Sequence, residues 1–212
     1  MIRNGEVFLQ ALGADAERLH PELRTQMGER AERRTAYGAF DVAGSRFRLL
    51  NVFARPVVGA DAVVTSYERE VPFSIVMSAS TNDRGRAVLD TRREFGFRRG
   101  SQRIVDRLTV SSRPGLVRNL LGASGRIELI EECGVTEDGF LRMTTKRVAL
   151  RLRGRHFALR GILRVDVRVV DGWDAVERRR TIEMRATNPL VGTVLEYRGW
   201  YRLERTQGER TQ

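Results

Sequence analysis

Along the last third of the chain, apolar and charged residues take turns. Leu163, Val165, Val167 and Val169 are separated by Arg164, Asp166 and Arg168, a period of two that puts one set of side chains in a core and the other in water. The spacing predicts a half-buried strand. Asp171-Gly172 then offers residues that tolerate positive φ in a tight hairpin turn. Ala175 to Arg185 is predicted to return with Val176, Ile182 and Met184 on one face and Glu177, Arg179, Thr181, Glu183 and Arg185 on the other. After the Asn188-Pro189 break, Leu195, Tyr197, Gly199, Tyr201 and Leu203 alternate with Glu196, Arg198 and Arg202, which predicts a third strand.

Upstream the pattern begins with helical spacing. Val7 to Leu12 and Leu19 to Met27 predict two short helical pieces, the second with Pro21 in its first turn, where a missing N–H costs nothing. Leu19, Leu23 and Met27 recur every four residues and form one stripe, and His20 at the boundary is expected as a cap or a packed neighbour. Arg33 to Val42 predicts a first strand ending near Gly44, while Ser45 to Pro56 fits either a short helix or an irregular apolar segment. Ala62 to Glu70 and Phe73 to Ser80 predict two strands divided by Pro72. Thr81 to Gly85 turns the chain into a strand over Ala87 to Phe97, and Ile104, Leu108 and Val110 belong to the next one.

Arg113-Pro114-Gly115 stops that strand before a compact apolar patch, Leu116 to Leu121. The expectation for this patch is a one-turn helix covering the open end of a sheet, with a mobile lid or a membrane-touching loop as the other reading. Ile127 to Val135, a turn at Glu137-Asp138-Gly139, and Phe140 to Arg153 predict a long hairpin.

Together these elements predict a mainly β (α+β) protein with roughly eight to ten antiparallel strands, in a strongly curved antiparallel sheet or incomplete β-barrel with short N-terminal helices and a small covering helix. One domain is expected over residues 1–205, with a helical segment over 1–30, the sheet over 31–205 and a disordered polar tail over 206–212.

Composition changes this picture little. No window approaches the roughly 20 apolar residues of a membrane span and the N-terminus lacks the apolar run of a signal peptide, so a cytoplasmic location is the default expectation. The single cysteine, Cys133, supplies neither an internal disulfide nor a zinc cluster. Net charge is +11, and Lys146 is the single lysine among 38 basic residues, the other 37 being arginine. The arginines alternate with apolar residues along strands, as on a solvated sheet face. An anionic membrane surface or acidic partner comes next, and nucleic acid last, since no recognition helix, zinc finger or RNP aromatic motif accompanies the charge.

The chain has no Gly-rich phosphate loop, no nucleophile elbow and no histidine pair at metal-ligand spacing, so neither a metal nor a cofactor is expected. Glu131-Glu132-Cys133 is the one cluster resembling catalytic chemistry. On a strand Glu131 and Glu132 point to opposite faces, so one of them projects to the concave side, where it needs an arginine partner or is tuned for proton transfer. Structural pairing is the favoured reading. Asp90, Arg92 and Glu94 share a face and read as a surface ion ladder.

Leu12-Gly13, Leu19 to Arg24, Ile130-Glu131-Glu132-Cys133-Gly134, Pro189 to Gly192 and Tyr197-Arg198-Gly199 together resemble a bacterial family of domains of unknown function, often attached to saccharopine-dehydrogenase-like reductases or standing alone. The resemblance spans roughly residues 5–203. Family members usually show a Trp-x-Arg-x-Phe element, of which Asp90 to Phe95 keeps the arginine and the aromatic. The resemblance implies a partner context, here a separate reductase, because this chain has no dinucleotide-binding fingerprint.

The leading functional expectation is non-catalytic binding of an apolar or lipid-like small molecule in the concavity of the sheet, with Leu116, Val117, Leu120, Leu121 and Tyr197 as ligand contacts. The alternative is a cyclase- or isomerase-type enzyme with an enclosed apolar cavity and Glu131 or Glu132 as general acid or base. An inward-facing carboxylate without an arginine neighbour would favour that alternative.

Overall fold

The structure is a computed structural model and describes residues 7–29, 32–47 and 55–204. The chain opens with α1 (Val7–Leu12), a 3-10 segment (Gly13–Arg18) and α2 (Pro21–Gly28). Eleven strands follow: β1 (Arg33–Gly44), β2 (Tyr67–Thr81), β3 (Ala87–Phe97), β4 (Gly100–Val110), β5 (Leu116–Leu121), β6 (Ile127–Val135), β7 (Leu141–Leu152), β8 (Arg155–Ala158), β9 (Asp166–Asp174), β10 (Arg179–Asn188) and β11 (Gly192–Leu203). A second 3-10 turn, Gly161–Leu163, lies between β8 and β9.

Strand order is β6-β5-β4-β3-β2-β1-β11-β10-β9-β7, and a β6–β7 ladder joins the two ends, so ten antiparallel strands close into a barrel with β8 outside it. The expected curved sheet thus closes completely. The first and last strands meet where Gly38 lies opposite Tyr201 and Gly199 opposite Phe40. A Cβ on Gly38 would sit 1.9 Å from the Trp200 carbonyl oxygen, and one on Gly199 would sit 2.1 Å from that of Ala39. Only glycine permits an approach this close.

One seam is shared. Leu141 to Thr144 of β7 pair with β9, whereas Ala149 to Leu152 pair with β8. Where β7 parts from β9, the Thr145 hydroxyl accepts from the Val167 N–H (3.0 Å) and donates to the Val167 carbonyl (3.2 Å), taking the place of a ladder rung.

The N-terminal helices plug one end. Val7, Ala11, Leu12, Leu19, Leu23 and Met27 are buried with Leu89, Leu108, Val117 and Leu141 of the barrel, each large side chain contributing about 1.5–3 kcal/mol. His20 caps α2 by accepting from the Glu22 N–H and its ring lies 6.0 Å from that of Trp173, so it is both cap and packed neighbour. Backbone bonds from Gly115 N–H to Ala11 (3.0 Å) and from His20 N–H to Gly139 (2.8 Å) fasten the plug. The other end holds an aromatic cluster in which the Phe40 ring lies 3.9 Å from Phe73, 5.5 Å from Phe95 and 4.9 Å from Tyr197. Met77 and Val169 border both clusters, and with the other inward-facing positions Ile75, Val167 and Ile182 they stay half-buried.

Several predicted elements move. Leu116 to Leu121 is no covering helix but strand β5, paired with β4 and β6; its leucines and valine satisfied helical and extended spacing equally well over six residues. Asp171-Gly172 lies within β9, and the β9–β10 turn falls at residues 175–178, with Val176 exposed and not on a core face. Arg178 adopts the positive φ of 49° that the turn needs, a role the sequence offered more visibly to glycine. Leu163 belongs to the 3-10 turn, not to a strand. The two strands expected around Pro72 are one, β2, beginning at Tyr67; Pro72 sits beside the end of the β2–β3 ladder at Phe73–Phe95, where no rung requires its missing N–H. Residues 48–54 of the ambiguous Ser45 to Pro56 segment, and the 206–212 tail, lie outside the described residues. Among the described residues no helix is long and apolar enough to cross a membrane.

Candidate functional site

Alternation carries polar side chains into the barrel on four adjacent strands. On β3, Thr91 and Arg93 share a face with Leu89 and Phe95; on β4, Asp106 lies between Ile104 and Leu108; on β5, Asn119 follows Val117; on β6, Glu131 lies between Leu129 and Cys133. The Asp106 carboxylate accepts from the Thr91 hydroxyl (2.8 Å) and from Arg93 Nη1 (2.6 Å). Asn119 Nδ2 donates to Glu131 Oε2 over 3.1 Å.

A second buried group stands on the β9–β11 wall. The Asp171 carboxylate accepts from Arg180 Nη2 (2.5 Å) and Nε (3.2 Å) and from the Tyr201 hydroxyl (2.9 Å). Arg93 acts electrostatically on both Tyr197 and Tyr201, which links the two walls into one polar belt.

The charges of the belt follow from its surroundings. Burial pushes the Glu131 carboxyl up to about 7, opposed by the Asn119 hydrogen bond and reinforced by Asp106. Glu131 can therefore hold or release a proton near neutrality. Burial pulls on the Arg93 guanidinium, but Asp106 outweighs it and holds the group charged; Asp171 does the same for Arg180. Burial raises the Tyr197 and Tyr201 hydroxyls, and pushes the Cys133 thiol up to about 12.

Two buried atoms of the belt, Asn119 Oδ1 and Arg93 Nε, have no hydrogen-bond partner. A buried polar atom left unpaired costs about 1–3 kcal/mol. An acceptor on the residue that bonds Glu131 and a donor on Arg93 are thus left unpaired in the interior.

Of the residues singled out from the sequence, Val117 and Tyr197 face inward, Val117 in the helix-side cluster and Tyr197 in the aromatic one. Leu121 shares the parity of Val117 and is half-buried, whereas Leu116 and Leu120 have the opposite parity and face outward, so the five do not form one surface. Glu132 points outward to Lys146 at 2.8 Å, while Glu131 faces inward with no arginine within salt-bridge distance. The outward Glu128 is held below the usual carboxylate range: burial would raise it, but Arg118, His156 and Arg147 surround it. Asp90 joins Arg107 across the ladder. Arg93, Asp106, Asn119, Asp171 and Arg180 escaped the sequence reading. Their signal was a polar residue standing at the apolar parity, as in Leu89-x-Thr91-x-Arg93-x-Phe95 and Ile104-x-Asp106-x-Leu108.

Among the described residues no cluster of His, Cys, Asp and Glu could hold a metal ion. Fold and site define a closed antiparallel β-barrel, plugged by helices at one end and lined at its waist by ionisable side chains. Over residues 19–201 the chain matches the model of the family described as domain of unknown function (DUF4166), and it belongs to that family. No curated protein and no solved structure matches it.

Proposed function

We propose that the barrel binds an apolar or lipid-like small molecule in its interior, with the polar end of that molecule at Arg93, Asn119 and Glu131. The observation that carries this reading is the pair of unpartnered buried atoms, Asn119 Oδ1 and Arg93 Nε, which a ligand's hydroxyl, carbonyl or carboxyl group would satisfy. The half-buried Ile75, Met77, Val167, Val169 and Ile182 supply apolar walls beside it. Ten strands also make a wider barrel than the eight that side chains alone fill. Native mass spectrometry with organic extraction of the purified protein tests the reading, together with titration of an apolar fluorescent probe. A carried ligand or a saturable probe site displaced by it is expected. A ligand-free protein that binds no probe overturns the proposal.

Glu131 favours a second reading. An inward carboxyl with one hydrogen bond, no ion pair and a pKa near 7 has the properties of a general acid–base group for an isomerase or cyclase. It would take a proton from one carbon of the substrate and return it to another, with no net redox change. Deuterium uptake into the extracted ligand, followed by NMR, tests this: exchange by the native protein, abolished by Glu131→Gln with binding retained, is the expected pattern. Undiminished exchange in that variant removes Glu131 from the chemistry.

A further inference from the structure

Away from the helical plug, two turns stand together at the other end of the barrel. Asn188 clamps them: its Nδ2 donates to the carbonyls of Ile162 and Arg164, each over 2.8 Å, and its Oδ1 accepts from the N–H groups of Leu190 (3.0 Å) and Val191 (3.3 Å). Asn188 thus ties backbone groups of both turns together, yet the side chains at the tips are exposed. Ile162 and Leu163 are each 63% exposed, Leu190 is 69% exposed and Val191 41%. Four aliphatic residues on two tied turns form a contiguous apolar tip, unlike the scattered exposed leucines of an ordinary surface.

The chain leading into the tip is basic. Residues 153–164 hold Arg153, Arg155, Arg160 and Arg164 and no acidic residue. Arg126 lies in the β5–β6 turn at the same end, on the near side of the β6–β7 closure. The adjacent acid, Asp166, is paired with Arg164 (2.8 Å). Apolar tips for the acyl boundary, flanked by guanidinium groups for phosphates, are the two elements of interfacial binding.

From this geometry we infer that the end carrying Ile162, Leu163, Leu190 and Val191 docks on an anionic lipid bilayer. The core of a protein–protein interface is enriched in aromatic residues and Met, which this aliphatic tip lacks, and nucleic-acid affinity rests on phosphate contacts that make no use of aliphatic tips. The inference deepens the interior-binding reading and rests on it for its purpose: the tip adjoins the seam where β7 leaves β9 for β8, so a lipid-like molecule would pass between bilayer and barrel beside that seam. Docking places the membrane contact at these turns and not at Leu116 to Leu121, whose inward residues are committed to the core.

The full chain should sediment with vesicles of phosphatidylcholine plus phosphatidylglycerol and remain in solution with phosphatidylcholine alone. The double variant Ile162→Asp with Leu190→Asp should lose about tenfold or more in vesicle affinity while its unfolding midpoint stays unchanged, because both positions are exposed. Leu190→Trp should show a blue shift of its emission on anionic vesicles beyond that of the native protein. Equal binding by the double variant, equal binding to neutral vesicles, or no vesicle binding overturns the inference. A protein that carries a ligand but ignores vesicles loses only the docking surface, whereas one that binds vesicles through the tip but takes up no ligand or apolar probe loses only the interior reading.

Discussion

Asn119 and Glu131 meet on a diagonal: Asn119 lies opposite Leu129 in the β5–β6 ladder, two residues before Glu131, and reaches across to donate to its carboxyl over 3.1 Å. That bond is the single direct one the carboxyl receives from the described residues, too little to keep a buried charge stable.

Stability should therefore depend on pH through Glu131. Folding raises its pKa from 4.5 to about 7, so the folded state binds more protons than the unfolded one between those values. Stability falls as pH rises through that window and levels off above it. Glu131→Gln should remove this slope and leave the variant more stable than the native protein at pH 8, by up to about 3 kcal/mol. Urea unfolding at pH 5 and pH 8 checks it, and parallel pH profiles for the two proteins would show that Glu131 titrates normally.

Asp171 serves two donors at once, Arg180 and Tyr201. Asp171→Asn should leave a buried guanidinium uncompensated and cost about 3–5 kcal/mol. Combining it with Arg180→Met should recover much of that loss. A double-mutant cycle in denaturant gives the coupling, and additive losses would mean that the pair is solvated.

Leu23 is wholly buried in the plug, while Leu120 faces outward on β5. Leu23→Ala should cost about 2–5 kcal/mol, and Leu120→Ala less than half as much. Thermal unfolding of both variants tests the strand assignment of Leu116 to Leu121, since a larger loss for Leu120→Ala contradicts it.

Cys133 is buried, and its thiol is pushed up to about 12 by burial and by Glu131 and Glu132. A thiol reagent at pH 8 should label it only as fast as the protein opens. Denaturant should bring labelling to the rate of a free thiol, whereas rapid labelling of the folded protein would place Cys133 at an accessible surface.

Strand parity was the most legible feature of the chain. It separated Glu131 from Glu132 correctly and placed Tyr197 and Tyr201 on the inner face. Turn positions were less legible, because Asp171-Gly172 has turn chemistry but is held straight by pairing on both sides. The polar belt was hidden for a related reason. Inward Asp106, Arg93 and Asn119 read as surface residues until closure of the β6–β7 seam encloses them, and closure is a long-range event that no local pattern announces.

Closing the barrel also decides how the protein meets other polypeptides. Each of its ten strands has neighbours on both sides, so among the described residues β8 is the one strand with a single neighbour. That free edge is four residues long and begins Arg155-His156. A strand so short and basic is a poor template for another chain's backbone, which leaves little scope for edge-to-edge aggregation or for capture of extended peptides by strand addition.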